Sequence, residues 1–486
     1  MRRESEVYPD LSAFIEEIDK KGISAALLSK LLERCRPCLD HVKDLHDRYE
    51  IRENAVPIYG RTPRFKDAGE AINNKVGNDF FGEIVDIKTG YFAGKPVTYS
   101  YSRTDESRED TGGGEAVETA AKALSDFVTR NNLYDVDQEV TKLAAIGGYA
   151  GRLFYVDTEG RERVMALPGY QTVILSRTEM TEPRYGVRVV KSVDIDNNPR
   201  YTAEFYDERQ ITFFKGRDLA ALAQDGPPKP HLFEGCPLQG IPNNAELMGD
   251  AERVLDEIDA YDRTLSDANN DTEAFANAYM VFENLVMDDD GMRAASASGV
   301  ISFQQTSQDF PAKVHYLEKD INDAFLEHHL DRLEGNIYRF SKTPNLTDES
   351  FGTASGVALK FKITGLETKC GMFQAKLQSA GVYMFKLLAT SWAKKSIPVD
   401  PLQCFMSFKR NFPLDLVSEA QAAATLIGAG LPKEVAFSQL SFIDDVDYVM
   451  DLIDQELDGV PPLDDRDDEP PDDRDDEPPD DGPPEV

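Results

Sequence analysis

The chain reads as an α+β protein with its strands first and its long helices after them. Three observations predict this. A two-residue hydrophobic period sets in at Gly151 and runs to about Phe214, interrupted only by turn residues. Beyond Pro237, Pro242, Asn243 and Asn244 the period becomes three to four, over helices longer than a compact domain needs. The chain has 486 residues, 41% hydrophobic and 29% charged, enough for roughly two to four folding units with cores of their own.

The first fifty residues read as helical. Over 24–49, Leu27, Leu28, Leu31, Leu32, Leu39, Val42 and Leu45 recur at spacings of three, four and seven, and Pro37 is expected to kink or split the helix. A loop over 55–63 precedes a second helix over 73–93, ended by Gly94-Lys95-Pro96. Thr98-Tyr99-Ser100-Tyr101 looks extended, 102–114 is polar, and helices are expected over 115–130 and 135–147. Leu153-Phe154-Tyr155-Val156 and Arg163-Val164-Met165-Ala166, around Asp157-Thr158-Glu159-Gly160, form a hairpin. Further strands are expected over 171–175, 185–193, 201–206 and 210–214, so 50–240 is an α+β region with a mainly antiparallel sheet.

The second half starts with a helix over 246–278. Leu247, Ala251, Val254, Leu255, Ile258, Tyr261, Leu265 and Ala268 form one apolar stripe. Its remaining surface reads as acidic: Asp250, Glu252, Asp256, Glu257, Asp259, Asp262, Asp267 and Asp271. Strand-like runs at 279–285 and 299–303 flank Asp288-Asp289-Asp290-Gly291, which reads as a turn, and a helix returns over 321–340. A polar loop from Lys342 to Gly352 leads to a long helix over 355–393. Gly365, Gly371 and Gly381 lie inside that helix, and a kink is expected at Ile363-Thr364-Gly365. A strand over 404–411 and a helical unit over 415–458 follow, the latter with a Gly428-Ala429-Gly430 turn.

Residues 464–471 read DDRDDEPP and 472–479 repeat them. From Pro461 to Val486 there are 13 acidic and 2 basic residues, so this stretch supplies −11 of the net −35. With almost no apolar side chains to offset ordering entropy, it is expected to be disordered.

A net −35 argues against a non-specific nucleic-acid coat and against an anionic membrane surface, both of which need clustered Lys and Arg. No run of about 18 apolar residues is present, and the start of the chain lacks the apolar stretch of a secretory signal. Five cysteines fit a reducing compartment. Cys35 and Cys38 lie near His41 and His46, but without a second pair they read as helix residues rather than a zinc or redox site. The sequence contains no Walker A loop, no G-x-S-x-G elbow and no H-E-x-x-H. Gly352-Thr353-Ala354-Ser355-Gly356 lacks the Lys-Ser/Thr that phosphate cradling requires, and His328 and His329 read as ordinary helix residues. Lys394-Lys395 and Lys409-Arg410-Asn411 read as surface groups, and the single Trp392 as packing. No enzyme, cofactor or metal is expected.

The order of elements is more informative: an α+β region, a long helix, a small β excursion, a returning helix, a polar loop and a kinked helix. It resembles the portal proteins of tailed bacteriophages, in particular those of long-tailed phages of Gram-positive hosts. Asn73-Asn74-Lys75 through Gly94-Lys95-Pro96-Val97 is similar to that family's early helix and its exit. Asp259-Ala260-Tyr261-Asp262 through Ser266-Asp267 resembles its first stem helix, and Ser355-Gly356-Val357-Ala358-Leu359-Lys360 the start of its kinked helix. The resemblance covers about 50–458; the acidic tail is outside it.

The resemblance implies a portal-type subunit. After an N-terminal helical segment, 1–49, come a wing, 50–240, a stem helix, 241–278, and a clip, 279–316. A second stem helix, 317–341, a tunnel loop, 342–354, a kinked wing helix and strand, 355–413, a crown, 414–460, and the tail, 461–486, complete it. It implies a ring of about twelve copies at one capsid vertex, a channel through which double-stranded DNA is packaged and ejected. The partners implied are a terminase, scaffolding protein, the major capsid protein and a head-completion or adaptor protein, with no membrane. The place implied is the virion, and the host cytoplasm during assembly. The DNA-facing loop residues would be Lys342, Thr343, Asn345, Thr347, Asp348, Glu349, Ser350 and Phe351. Acidic faces such as that of 246–278 would keep DNA sliding by repulsion. The alternatives are an acidic multi-domain interaction protein without a DNA role, and a metal-dependent enzyme built on the Asp clusters.

Overall fold

A computed structural model describes residues 8–63, 72–101, 113–276, 280–283, 313–316, 323–347, 356–411, 416–438 and scattered single positions. They fall into two compact units, Met1–Phe412 and Pro413–Val486. The first begins with α1 (Ser12–Lys21), α2 (Ala25–Tyr49), α3 (Phe80–Ala93), β1 (Thr98–Tyr101), α4 (Gly113–Arg130) and α5 (Leu133–Gly147). The strands β2 (Tyr149–Val156), β3 (Glu162–Pro168), β4 (Thr172–Leu175), β5 (Tyr185–Val193), β6 (Pro199–Tyr206), β7 (Gln210–Gly216), β8 (Ala223–Gln224), β9 (Lys229–Pro230) and β10 (Leu238–Pro242) follow. The unit closes with α6 (Leu255–Ala276), β11 (Met280–Glu283), β12 (Lys313–Tyr316), α7 (Asp323–Ser341), α8 (Gly356–Lys362), α9 (Thr364–Lys394) and β13 (Cys404–Ser407).

The described ladders are all antiparallel. The expected hairpin is β2–β3, with Phe154 opposite Val164, and β5–β6 turns at Asn197, whose φ of 62° suits Asn. One face of the β4–β8 sheet is covered by α1 and α2. Ile15, Ile18, Leu28, Leu31, Leu32 and Cys35 pack on Val187, Ala203, Phe205 and Phe214. Ser24 starts α2 by accepting from the Leu27 amide, and the helix continues through Pro37 instead of breaking. Pro37 is exposed, so the Glu33 carbonyl that loses its donor can face water.

The second core lies along α9. Phe373, Leu377, Ala380, Met384, Leu388 and Trp392 keep a three-to-four spacing and meet Phe92, Phe127, Val140, Ala150 and Phe154. Each such fully buried side chain contributes roughly 1.5–3 kcal/mol, so α9 is the axle of this core. Trp392 stands edge-on to Phe127 with centroids 6.2 Å apart, and Phe92 edge-on to Phe373 at 5.0 Å. The β1–β13 ribbon closes on α9 where Gly381 meets the Met406 sulfur. A Cβ on Gly381 would meet that sulfur, so the glycine lets the Met406 side chain lie against α9. The break lies at Ile363, between α8 and α9.

Several expectations change. The prolines near 240 flank a buried strand, β10, which pairs with β2; both sit at strand ends, where a missing amide is tolerated. The helix expected from 246 begins at Leu255 behind a short 3-10 turn, Glu252–Val254, because Leu247 takes a left-handed φ of 52° and the chain must turn there. The helix expected from 73 begins at Phe80, where Asp79 caps it by accepting from Gly82; residues 72–79 form neither helix nor strand. Strand β11 pairs with Lys313–Tyr316, while the expected strand 299–303 and most of 288–291 lie outside the described residues, as do the tail and much of 439–460. Arg410 does not extend into solvent: it holds Glu367 and lies 4.9 Å from the Phe92 ring.

In the second unit, α10 (Leu416–Gly428) and α11 (Lys433–Ser438) join through the expected glycine turn. Gly430, at φ 93°, closes it: its amide reaches Ile427, and that of Leu431 reaches Leu426.

Candidate functional site

The carboxylates assigned to the first stem helix are mostly engaged. Asp262 is 1% exposed and accepts from the Asn78 amide at 2.9 Å and its side chain at 2.8 Å. The Ser266 hydroxyl accepts from the Val76 amide at 3.0 Å, and Asn270 from the Asn74 amide at 2.6 Å. Alternate amides of the 72–79 segment thus meet every fourth residue of α6. The spacings match, about 6 Å for four helical residues and about 6.6 Å for two extended ones. Arg48 pairs with Asp259 and Arg61 with Asp267. Asp259, Asp262 and Asp267 are therefore seats for the chain's own basic and amide groups.

The loop between α7 and α8 leaves α7 through a left-handed cap. Lys342 has φ 57°; its amide reaches the Arg339 carbonyl at 3.4 Å, and the Thr343 amide reaches Tyr338 at 3.1 Å. Gly is the usual residue at this position, and Lys342 occupies it with its side chain exposed. Thr343 is buried, and its hydroxyl has no hydrogen-bond partner among the described residues. Asn345 donates to Glu334 at 3.0 Å and accepts from the amide and hydroxyl of Thr347 at 2.9 and 2.6 Å. Asp348, Glu349, Ser350 and Phe351 lie outside the described residues. On the far side the chain re-enters helix at Gly356 and breaks at Ile363, where the Thr364 hydroxyl bonds back to Lys360 at 3.0 Å. A Cβ on Gly365 would lie 3.3 Å from that of Lys342, so the two feet of the loop touch.

Behind the feet lies a buried charge cluster. Lys369, on α9, donates to the Ser341 carbonyl at 2.8 Å and pairs with Asp250 at 3.2 Å. Lys88, on α3, pairs with the other Asp250 oxygen at 2.8 Å and donates to Asn243. It also lies 4.8 Å from the Phe373 ring. Burial pushes the Asp250 carboxyl up, but the Lys88 and Lys369 ammoniums outweigh it and hold its pKa below the ordinary value. Burial pulls Lys369 below its ordinary value, opposed by Asp250 and reinforced by Lys88. Lys88 and Lys369 escaped sequence reading, and Asp250, read as part of an acidic surface, is buried instead. Their one signal was a lysine on an apolar stripe: Phe81, Ile84, Val85, Lys88 and Phe92 in α3, and Leu366, Lys369 and Phe373 in α9.

Elsewhere the suspected chemistry resolves into packing. Cys35 and Cys38 are buried, and burial pushes the Cys35 thiol up to about 12. His41 meets Glu252 at 3.0 Å, and His46 stands edge-on to Tyr170. Among the described residues no group of three or more His, Cys, Asp or Glu side chains could hold a metal, and no helix is long and apolar enough to cross a membrane.

A long α9 axle, the α6–α7 helix pair with the β11–β12 ribbon, and a loop whose feet meet at Lys342 and Gly365 are the features that frame the site. The chain belongs to the family described as phage portal protein, SPP1 Gp6-like, which matches residues 36–461. It is similar to the portal protein of Bacillus phage SPP1, 20% identical across 93% of this chain and 92% of that one. It is also similar to the portal protein of Clostridium phage phiCD119, 21% identical across 89% of this chain and 95% of that one.

Proposed function

We propose that this chain is one protomer of a closed ring of about twelve copies at a capsid vertex, through which double-stranded DNA passes during packaging and ejection. Family membership over 36–461 is the observation that carries this reading. Terminase, scaffolding protein, major capsid protein and a head-completion or adaptor protein are the partners that go with it. The loop 342–354 faces the DNA. Its exposed Lys342 and Thr347, together with Asn345, offer phosphate-compatible groups, and its feet are fixed on α9. Asp348, Glu349, Ser350 and Phe351 belong to the set by sequence; Thr343 is buried and leaves it.

The test is a packaging assay on Lys342→Glu and Asn345→Ala, each first imaged by negative stain. Normal rings with a central hole and impaired DNA filling are expected. Filling untouched by both would remove the loop from the DNA path, and protein that stays monomeric across salt conditions would remove the ring.

A further inference from the structure

The buried charge cluster holds more charge than neutrality needs. Lys88 and Asp250 already make a neutral pair, and Lys88 is 1% exposed. Lys369 adds a second positive charge at 9% exposure. Burying an extra ammonium is expensive unless it makes strong contacts of its own. Besides Asp250, Lys369 grips the Ser341 carbonyl, the last residue of α7. That helix end is the negative pole, and the left-handed cap serves the Tyr338 and Arg339 carbonyls but not this one. One ammonium therefore joins the outgoing foot of the loop, at Ser341, to the incoming foot, on α9. Through Asp250 and Lys88 it ties both to α3 of the wing.

We infer that Lys369 is a positioning residue: it fixes where the 342–363 segment leaves and re-enters the body. Its role in DNA passage rests on the reading of that loop given above. Lys88 serves the wing core and Lys369 serves the loop, although both hold the same carboxylate.

Hydrogen exchange on the full-length protein tests this at the Lys342 and Thr343 amides, which the α7 cap protects. Lys369→Met leaves the neutral Lys88–Asp250 pair in place, so the fold and the melting transition should survive. Loss of a hydrogen bond from a charged donor should speed exchange at these two amides by roughly tenfold or more. Lys369→Gln, which keeps a donor, should restore part of the protection. Lys88→Met removes the same charge without touching Ser341 and should leave both amides at the wild-type rate. Unchanged exchange in Lys369→Met, or equal loss in Lys88→Met, overturns the inference. If Lys369→Met does not fold, Lys369→Gln against Lys88→Met decides in the same way.

The packaging assay separates this from the loop reading. If Lys342→Glu and Asn345→Ala impair filling and Lys369→Met does not, the anchor is overturned and the loop reading stands. If the loop variants are silent, the loop reading falls and the anchor is judged by exchange alone.

Discussion

His46 sits at 6% exposure on the inner face of α2, edge-on to Tyr170 with centroids 5.0 Å apart. Burial, with Lys43 and Lys142 adding repulsion, lowers its pKa from 6.5 to about 4. The unfolded chain therefore takes up this proton first. Stability from this residue is full above the unfolded value and is lost as pH falls from 6.5 towards 4. Between pH 7 and pH 5 the loss should be about 2 kcal/mol, and His46→Phe should remove that part of the slope. Denaturant titrations followed at Trp392, the single tryptophan and a buried one, would show it. Equal slopes in variant and wild type would mean that the ring accepts a proton in place. The same probe reads Lys342, held at φ 57°. A left-handed residue with a Cβ costs about 1 kcal/mol or more, so Lys342→Gly should be more stable than Lys342→Ala by that order. Equal midpoints would mean that the cap relaxes.

At the scale of elements, the segment 72–79 and α6 depend on each other. Among the described residues the segment has no strand neighbour; its amides at Asn74, Val76 and Asn78 are satisfied by side chains of Asn270, Ser266 and Asp262. Ser266→Ala removes the acceptor for Val76 and leaves a partly buried amide without one, at a cost of roughly 1–2 kcal/mol. Exchange at Val76 should accelerate while the β5–β6 amides stay protected; unchanged exchange at Val76 would show that water replaces the hydroxyl. This pairing was not legible beforehand. Periodicity reports apolar faces, and what meets here is backbone amides on one side and polar side chains on the other, so the stripe on α6 read as solvated charge. The β5–β6 hairpin was legible to within two residues because its strands alternate and turn at Asp196-Asn197-Asn198.

For the whole molecule, the order of elements was legible and the electrostatics were not. Composition reports −35 but not that Asp250, Asp259, Asp262 and Asp267 are each held by a lysine, arginine or asparagine. Carboxylates fixed in this way belong to the fold's own network of ion pairs and hydrogen bonds. The repeated DDRDDEPP segment contrasts with them. It supplies −11, while the rest of the chain carries the other −24. Two bodies of like sign repel, and the repulsion fades beyond a Debye length of about 8 Å at physiological salt. With so few apolar side chains, the segment has little to gain by docking. Deleting 461–486 should therefore leave the Trp392 transition unmoved at physiological salt and shift it upward, if at all, at low salt. Ring formation, read by native mass spectrometry, should be as efficient as in the full chain. A fall in the transition on truncation would show that the segment docks on the body against its charge, through basic groups that the −24 figure conceals.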